Sequence, residues 1–250
     1  MTPQATVTPS RAAFGFVFVT VLLDMMALGI VVPVLPKLIE AFEGGDVGKA
    51  AHIGGYFGFA WALMQFVAMP ILGGLSDRFG RRPVIILSNL GLGLDYIVMA
   101  LAPNLWWLFV GRLISGITAA SYSTAGAYIA DVTPPEKRAG RFGLLGAAFG
   151  LGFTVGPAIG GLLGSIDLSL PFWGAAGFSL ANALYGFFVL PESLPRERRA
   201  PFAWRQANPI GAMNFLRSDP VLGRLASAGF LQRFAHISLP SMFVYYADYR

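Results

Sequence analysis

The sequence predicts an all-α polytopic membrane protein, and two observations carry that reading. The 250 residues are 55% hydrophobic and only 12% charged, whereas a soluble domain carries roughly 25% charged residues. The charges also sit in short clusters, separated by uncharged stretches about as long as the ~20 apolar residues that a helix needs to cross hydrocarbon. In lipid every backbone N–H and C=O has to be bonded internally, and a helix does this within one segment.

Seven stretches are long and apolar enough to span. They run Phe14–Pro36, Ile53–Leu75, Val84–Ala102, Leu105–Ile129, Phe142–Ile166, Pro171–Leu190 and Leu225–Tyr246. The first is preceded by a polar segment, Met1 to Ser10, without a basic region, and no small-residue cleavage site follows, so it reads as a retained span and not a signal peptide. Only Pro103 and Asn104 separate the third span from the fourth, which makes that pair a tight helical hairpin. The stretch from Pro191 to Asp219 is the one long loop, polar and rich in Arg. The chain therefore divides into a six-helix bundle at 1–190, a cytoplasmic linker at 191–219 and a seventh helix beginning a second bundle at 220–250. One bundle, a linker and a lone helix are unbalanced, so a fragment of a longer protein is expected, with a missing C-terminal half as its partner. The seventh helix is expected to pack poorly against the six.

Orientation follows from the basic residues. With the N-terminus inside, the cytoplasmic segments hold thirteen of the 18 Lys and Arg. The outer loops hold only Lys37 and Lys49, beside Glu40, Glu43 and Asp46. Excess Lys and Arg mark the cytoplasmic side, which places the N-terminus in the cytoplasm and the protein in the cell inner membrane. The same distribution explains the net charge of +5 without nucleic acid, since an interaction tail would show a longer basic block. Cysteine is absent, which excludes disulfides and thiolate metal sites. No H-E-x-x-H, G-x-S-x-G or Walker loop is present, so no enzyme is expected, and an ion gradient, not ATP, supplies the energy. No cofactor or metal is expected.

The loop between the second and third spans reads Gly73-Gly74-Leu75-Ser76-Asp77-Arg78-Phe79-Gly80-Arg81-Arg82-Pro83. Gly73 and Gly74 let the chain leave a helix, Gly80 permits a positive φ, and Pro83 suits a first helical turn. Asp77 can face a helix N-terminus or pair with a guanidinium, and Arg81 and Arg82 can each grip a carboxylate with two bonds. This order of residues resembles the loop motif of the major facilitator superfamily. Arg112, Gly116 and Ala120 are similar to its R-x-x-x-G-x-x-x-A pattern. The fifth span, with Gly146, Gly150, Gly152, Gly156, Pro157, Gly160 and Gly161, resembles its antiporter motif. Leu22-Leu23-Asp24, Pro33-Val34-Leu35-Pro36, Leu94-Asp95-Tyr96 and Ile129-Ala130-Asp131 narrow the resemblance to the tetracycline-resistance exporters and their relatives. It covers the chain from about Phe14 but only half of a twelve-helix member.

Several ionisable residues fall inside spans. Asp24 lies near the middle of the first, where a charge costs roughly 2.5–3.5 kcal/mol. The resemblance implies that it handles substrate or protons. Asp95 in the third span reads alone as either packing or function, and the resemblance implies function. Arg112 cannot shed its proton; it either snorkels outward or acts on a nearby carboxylate, Asp24 or Asp95. Asp131 closes the cytoplasmic end of the fourth span, level with Arg81 and Arg82, either solvated or in an ion pair that ties two helices together. The glycines at 152, 156 and 160 allow close helix contact, and Pro157 bends the helix by removing one hydrogen bond; the resemblance implies that their partner is a helix of the missing half. Gln65, Asn89, Asn182 and His236, with Arg233, are candidates to line a polar cavity. Trp106 and Trp107 read as belt residues at the outer interface.

Together these imply secondary active efflux, tetracycline:proton antiport by alternating access. The substrate is a small-molecule drug, which the resemblance allows to be a magnesium chelate. The alternatives are a relative exporting other hydrophobic drugs, or a truncated fragment that transports nothing.

Overall fold

In the computed structural model, residues 11–119, 121–204, 207–217, 219–232 and 234 are described, and they contain no strand. Arg233 and His236 lie outside them, as does most of the seventh span. The first span is two helices, α1 (Arg11–Val31) and α2 (Val34–Phe42). Pro33 has no N–H to continue the α1 ladder. Pro36 falls in the opening turn of α2, where the N–H groups lack helical partners in any case. The span thus runs six residues past Pro36, where the sequence ended it, because a proline so placed starts a helix and does not stop one.

The second span is α3 (Val47–Phe79), a 33-residue helix with Pro70 inside it. At 1.5 Å per residue it is about 50 Å long, so its ends project beyond a hydrocarbon core of ~30 Å. Asp46 caps it, accepting from the Lys49 N–H at 3.0 Å. That bond, with the Lys49 ammonium at 3.4 Å, holds the Asp46 carboxyl below its usual range. Gly80, at φ 108°, turns the chain directly into α4 (Arg81–Ala100). Asn104 opens the next helix, accepting from the Trp106 and Trp107 N–H groups at 3.1 and 3.3 Å.

The fourth span is also divided, into α5 (Leu105–Thr118) and α6 (Ser121–Val132). Near the break the Thr118 hydroxyl donates to the Ile114 carbonyl at 3.0 Å; such back-bonding bends helices. Next comes α7 (Pro135–Gly164), which begins seven residues before the expected start. Its charged first turn lies outside the apolar stretch, yet Pro135 and Glu136 suit a helix N-terminus. The sixth span is α8 (Leu170–Phe188), preceded by Asp167, whose carboxyl is held down by the Ser169 hydroxyl and N–H. The expected loop at 191–219 is partly helical, with a 3-10 turn at Arg196–Arg198 and α9 (Pro209–Arg217).

Among the described residues, four helical stretches are long and apolar enough to cross a membrane: Phe14–Phe42, Val47–Phe79, Arg81–Ala100 and Pro135–Gly164. The division at Ala119 shortens both pieces of the fourth span. The bundle has α1 at its centre, packed on α7, α8 and α6, while α4 packs on α8 and α5, and α3 on α5. Its polarity is inverted relative to a soluble protein. Tyr56, Phe59, Phe66, Leu151, Leu162 and Phe188 are exposed. Thr20, Asp24, Asn89, Asp95, Arg112, Ser179 and Asn182 are buried. Such an exterior needs lipid as its solvent, and the chain is a multi-pass membrane protein.

One expectation is corrected here. Gly152, Gly156 and Gly160 do not await a helix of another half; they are buried against α1. A Cβ on Gly152 would lie 2.6 Å from Met25 Cβ, and one on Gly156 2.7 Å from Gly29 Cα. Both contacts are too short for any side chain, so these glycines set the α1–α7 distance. Gly146, Gly150 and Gly161 face open space.

Candidate functional site

The polar residues gather in two places. The first is inside the bundle. Asp24 on α1 accepts a hydrogen bond from the Ser121 hydroxyl at the start of α6. One turn earlier the Thr20 hydroxyl bonds to the Phe16 carbonyl at 3.0 Å, and the Thr20 carbonyl accepts from Asn182 Nδ2 at 2.8 Å. Asp95 on α4 is buried with neither oxygen hydrogen-bonded. Its neighbour is Arg112 on α5, close enough for their charges to interact but not in an ion pair. Gly111 makes room for it: a Cβ there would sit 3.1 Å from Asp95 Oδ1. Arg112 does not snorkel. It is 9% exposed, and its guanidinium lies 4.9 Å from the centre of the Trp61 ring on α3.

Asn89 and Asn182 are fully buried inside the bundle, so they do not line an open cavity. An amide among apolar helices is costly unless bonded; Asn182 meets half of that need through its Nδ2 bond to α1, while its Oδ1 and both polar atoms of Asn89 have no hydrogen-bond partner. Gln65 on α3 is half-buried. Gly93 faces Leu180 and Gly186 faces Ile86, so α4 and α8 run antiparallel and Asn89 comes level with Asn182.

The second site is the end of the bundle where α3 meets α4. Arg81, 11% exposed, is its centre. Its Nη1 lies 2.6 Å from Asp77 Oδ1, and its Nε 3.0 Å from Asp131 Oδ2. One guanidinium thus holds the C-terminal ends of α3 and α6 to the start of α4. Ser193 adds a bond to Asp131 at 3.2 Å. Arg82 donates to the Gly186 and Phe187 carbonyls at the end of α8. Arg78 stays outside, its guanidinium 5.1 Å from the Phe79 ring centre.

Sequence reasoning missed Glu192. Its Oε1 accepts from the Arg81, Ser193 and Leu194 N–H groups at 2.8, 3.0 and 3.0 Å. A carboxylate at the positive end of α4 is favourable, and Gly80 has no Cβ to collide with it. The linker is therefore docked. Tyr128 donates to the Pro191 carbonyl at 3.0 Å, the Ala200 N–H to the Asp77 carbonyl at 3.2 Å, and Phe202 sits over Gly74. In a linker full of charges, nothing in the sequence distinguished Glu192 from Glu197.

Comparison with known proteins places these residues in context. Residues 17–249 match the Major Facilitator Superfamily. The chain is 44% identical over 224 residues to the class C tetracycline resistance protein of Escherichia coli, covering 90% of this chain and 56% of that protein. It is 46% identical over 177 residues to the class E protein of the same organism, covering 70% and 43%. It is 34% identical over 217 residues to the human major facilitator superfamily domain-containing protein 10, covering 77% and 47%. The crystal structure of a human organic anion transporter (TETRAN) superposes with a TM-score of 0.69 at 30% identity, covering 79% of this chain and 52% of that one. The chain spans about half the length of the curated relatives it matches.

Proposed function

Because the chain belongs to the major facilitator superfamily, we propose that it works in drug efflux, exchanging a tetracycline-like compound for protons by alternating access across the cytoplasmic membrane. The observation that carries this is the pair of carboxylates inside the bundle, Asp24 bonded to Ser121 and Asp95 beside Arg112. A charge at that depth is costly, and each carboxylate is relieved by taking a proton. A cationic drug, or its magnesium chelate, relieves the same charge. Proton and drug then compete for one negative charge, which is the requirement for exchange. Arg112, always protonated, is the positive charge beside Asp95.

The rest of the transporter belongs to the same proposal. Residues 1–190 form one bundle and 191–219 the linker, and residues 220–250 begin the second. Two such bundles rock about a site at their interface, and the Asp77–Arg81–Asp131 cluster latches one of the two states. The N-terminus faces the cytoplasm, and no cofactor or nucleic acid takes part.

Proton flux in everted vesicles tests the coupling. Asp24→Asn and Asp95→Asn should each abolish drug-driven proton movement, because an amide has no proton to exchange. Undiminished flux in both variants would put the proton site elsewhere. Other hydrophobic drugs and an organic anion, tested in the same vesicles, set the substrate class.

A further inference from the structure

A cleft of about 480 Å³ enters the bundle at the end where Asp77 and Arg81 sit. Pro70, Gly73 and Gly74 of α3 form one wall, Thr124 and Ala127 of α6 the other, and Phe202 of the linker closes a third side. The bond from the Ala200 N–H to the Asp77 carbonyl holds the linker at its rim. Thr124 in its lining is 3% exposed, and its hydroxyl has no hydrogen-bond partner. That is unusual, since a threonine inside a helix commonly bonds back to a carbonyl one turn earlier. Three residues before it, on the same buried face of α6, is Ser121, the donor to Asp24.

We propose that this cleft is the route by which protons pass between the cytoplasm and Asp24, with Thr124 and then Ser121 as the last hydroxyls on the way. The inference rests on the proposed coupling role of Asp24. A cleft of this size, with charged groups at its mouth, holds several waters, each occupying about 30 Å³. Side chains three residues apart on a helix have Cβ atoms about 5–6 Å apart, a gap that one water bridges. Inward transfer is a relay. A hydronium that has entered the cleft from solution gives a proton to Thr124 Oγ1 and returns to water, while the hydroxyl proton of Thr124 passes through the bridging water to Ser121 Oγ. The hydroxyl proton of Ser121 moves to Asp24 Oδ2. One proton leaves the cleft, one O–H bond forms on Asp24, and both hydroxyls end as they began. Release runs the same steps in reverse. The Thr20 hydroxyl directs its proton to the Phe16 carbonyl and not to Asp24.

These 250 residues contain no cysteine, so a single cysteine introduced among them is the one thiol in this part of the protein. Thr124→Cys is treated from either side of the membrane with a small, charged, impermeant thiol reagent. Phe79→Cys marks the Asp77 end of the bundle and Asp46→Cys the opposite end. Thr124→Cys should react from the same side as Phe79→Cys. In parallel, Ser121→Ala and Thr124→Val should slow drug-driven proton flux by about tenfold or more, and Thr124→Ser should restore it. No reaction at Thr124→Cys, or reaction only from the Asp46 side, would overturn the route. So would Thr124→Val flux equal to that of the unaltered protein. Where Thr124→Val fails to reach the membrane, the labelling result decides. Flux that survives Asp24→Asn would instead refute the coupling role of Asp24, an outcome distinct from failure of the route.

Discussion

At the scale of single residues, Arg81 stands out among the described side chains at the end of the bundle that holds the linker. Isolated surface ion pairs contribute about 0–1 kcal/mol, but Arg81 is mostly enclosed and serves carboxylates from two helices. Removing one partner leaves the other in place, so the fold should survive while the balance between transport states shifts. Asp77→Asn should reach the membrane at normal levels yet export drug at a rate lower by about tenfold, the effect of roughly 1.4 kcal/mol on a barrier. Export by Asp77→Asn at the unaltered rate would remove the latch role from this cluster. Asp24, Asp95, Arg112, Asp77, Arg81 and Asp131 were legible in the sequence, because a charge in or at the end of an apolar stretch, or in a glycine-framed loop, stands out. Ser121, Trp61 and Glu192 were not. A serine in a span, an aromatic in a span and a glutamate in a charged linker are each ordinary, and only the packing shows which charge each one meets.

At the scale of elements, the first six expected spans coincide with helices among the described residues, but their breaks were not legible. Apolar length marks a crossing, but Pro33 followed by Pro36 reads as one stop in a sequence and acts as a restart in the structure. The contact between α1 and α7 shows the same limit. Glycine spacing indicated a close helix contact, and only the structure shows that α1 supplies the other surface. Gly156→Leu would drive a side chain into the backbone of Gly29, and overpacking costs typically 1–3 kcal/mol. In detergent its unfolding temperature should fall clearly below that of the unaltered protein. Gly150→Leu, where nothing lies within 4 Å of an added Cβ, should leave it unchanged. Equal unfolding temperatures for the two variants would mean that the α1–α7 contact is not what sets stability.

At the scale of the whole molecule, the two ends of the bundle differ in charge as sharply as its surface and interior differ in polarity. Arg78, Arg81, Arg82, Lys137, Arg138 and Arg141 gather at the end that holds the linker, with Arg196, Arg198 and Arg199 of the linker itself. The other end carries Glu40, Glu43, Asp46 and Asp167, against Lys37 and Lys49. Hydrogen bonds hold Asp46 and Asp167 below the usual carboxylate range. These two therefore stay ionised at neutral pH, and acid would have to take the pH below that range to neutralise them. Asymmetry in Lys and Arg of this kind sets orientation during insertion. The arginines that set it also do structural work: Arg138 bonds the Ala130 and Thr133 carbonyls at the end of α6, at 2.9 and 3.1 Å. The linker end should therefore face the cytoplasm. In intact cells, an impermeant thiol reagent should label Asp46→Cys and leave Phe79→Cys unlabelled; in everted vesicles the pattern should reverse. Both positions are exposed, Phe79 at 51%, so lack of labelling reports the side of the membrane and not burial. Strong labelling of Phe79→Cys in intact cells, with none at Asp46→Cys, would invert the topology. It would also invert the direction in which the Thr124–Ser121 route delivers its proton.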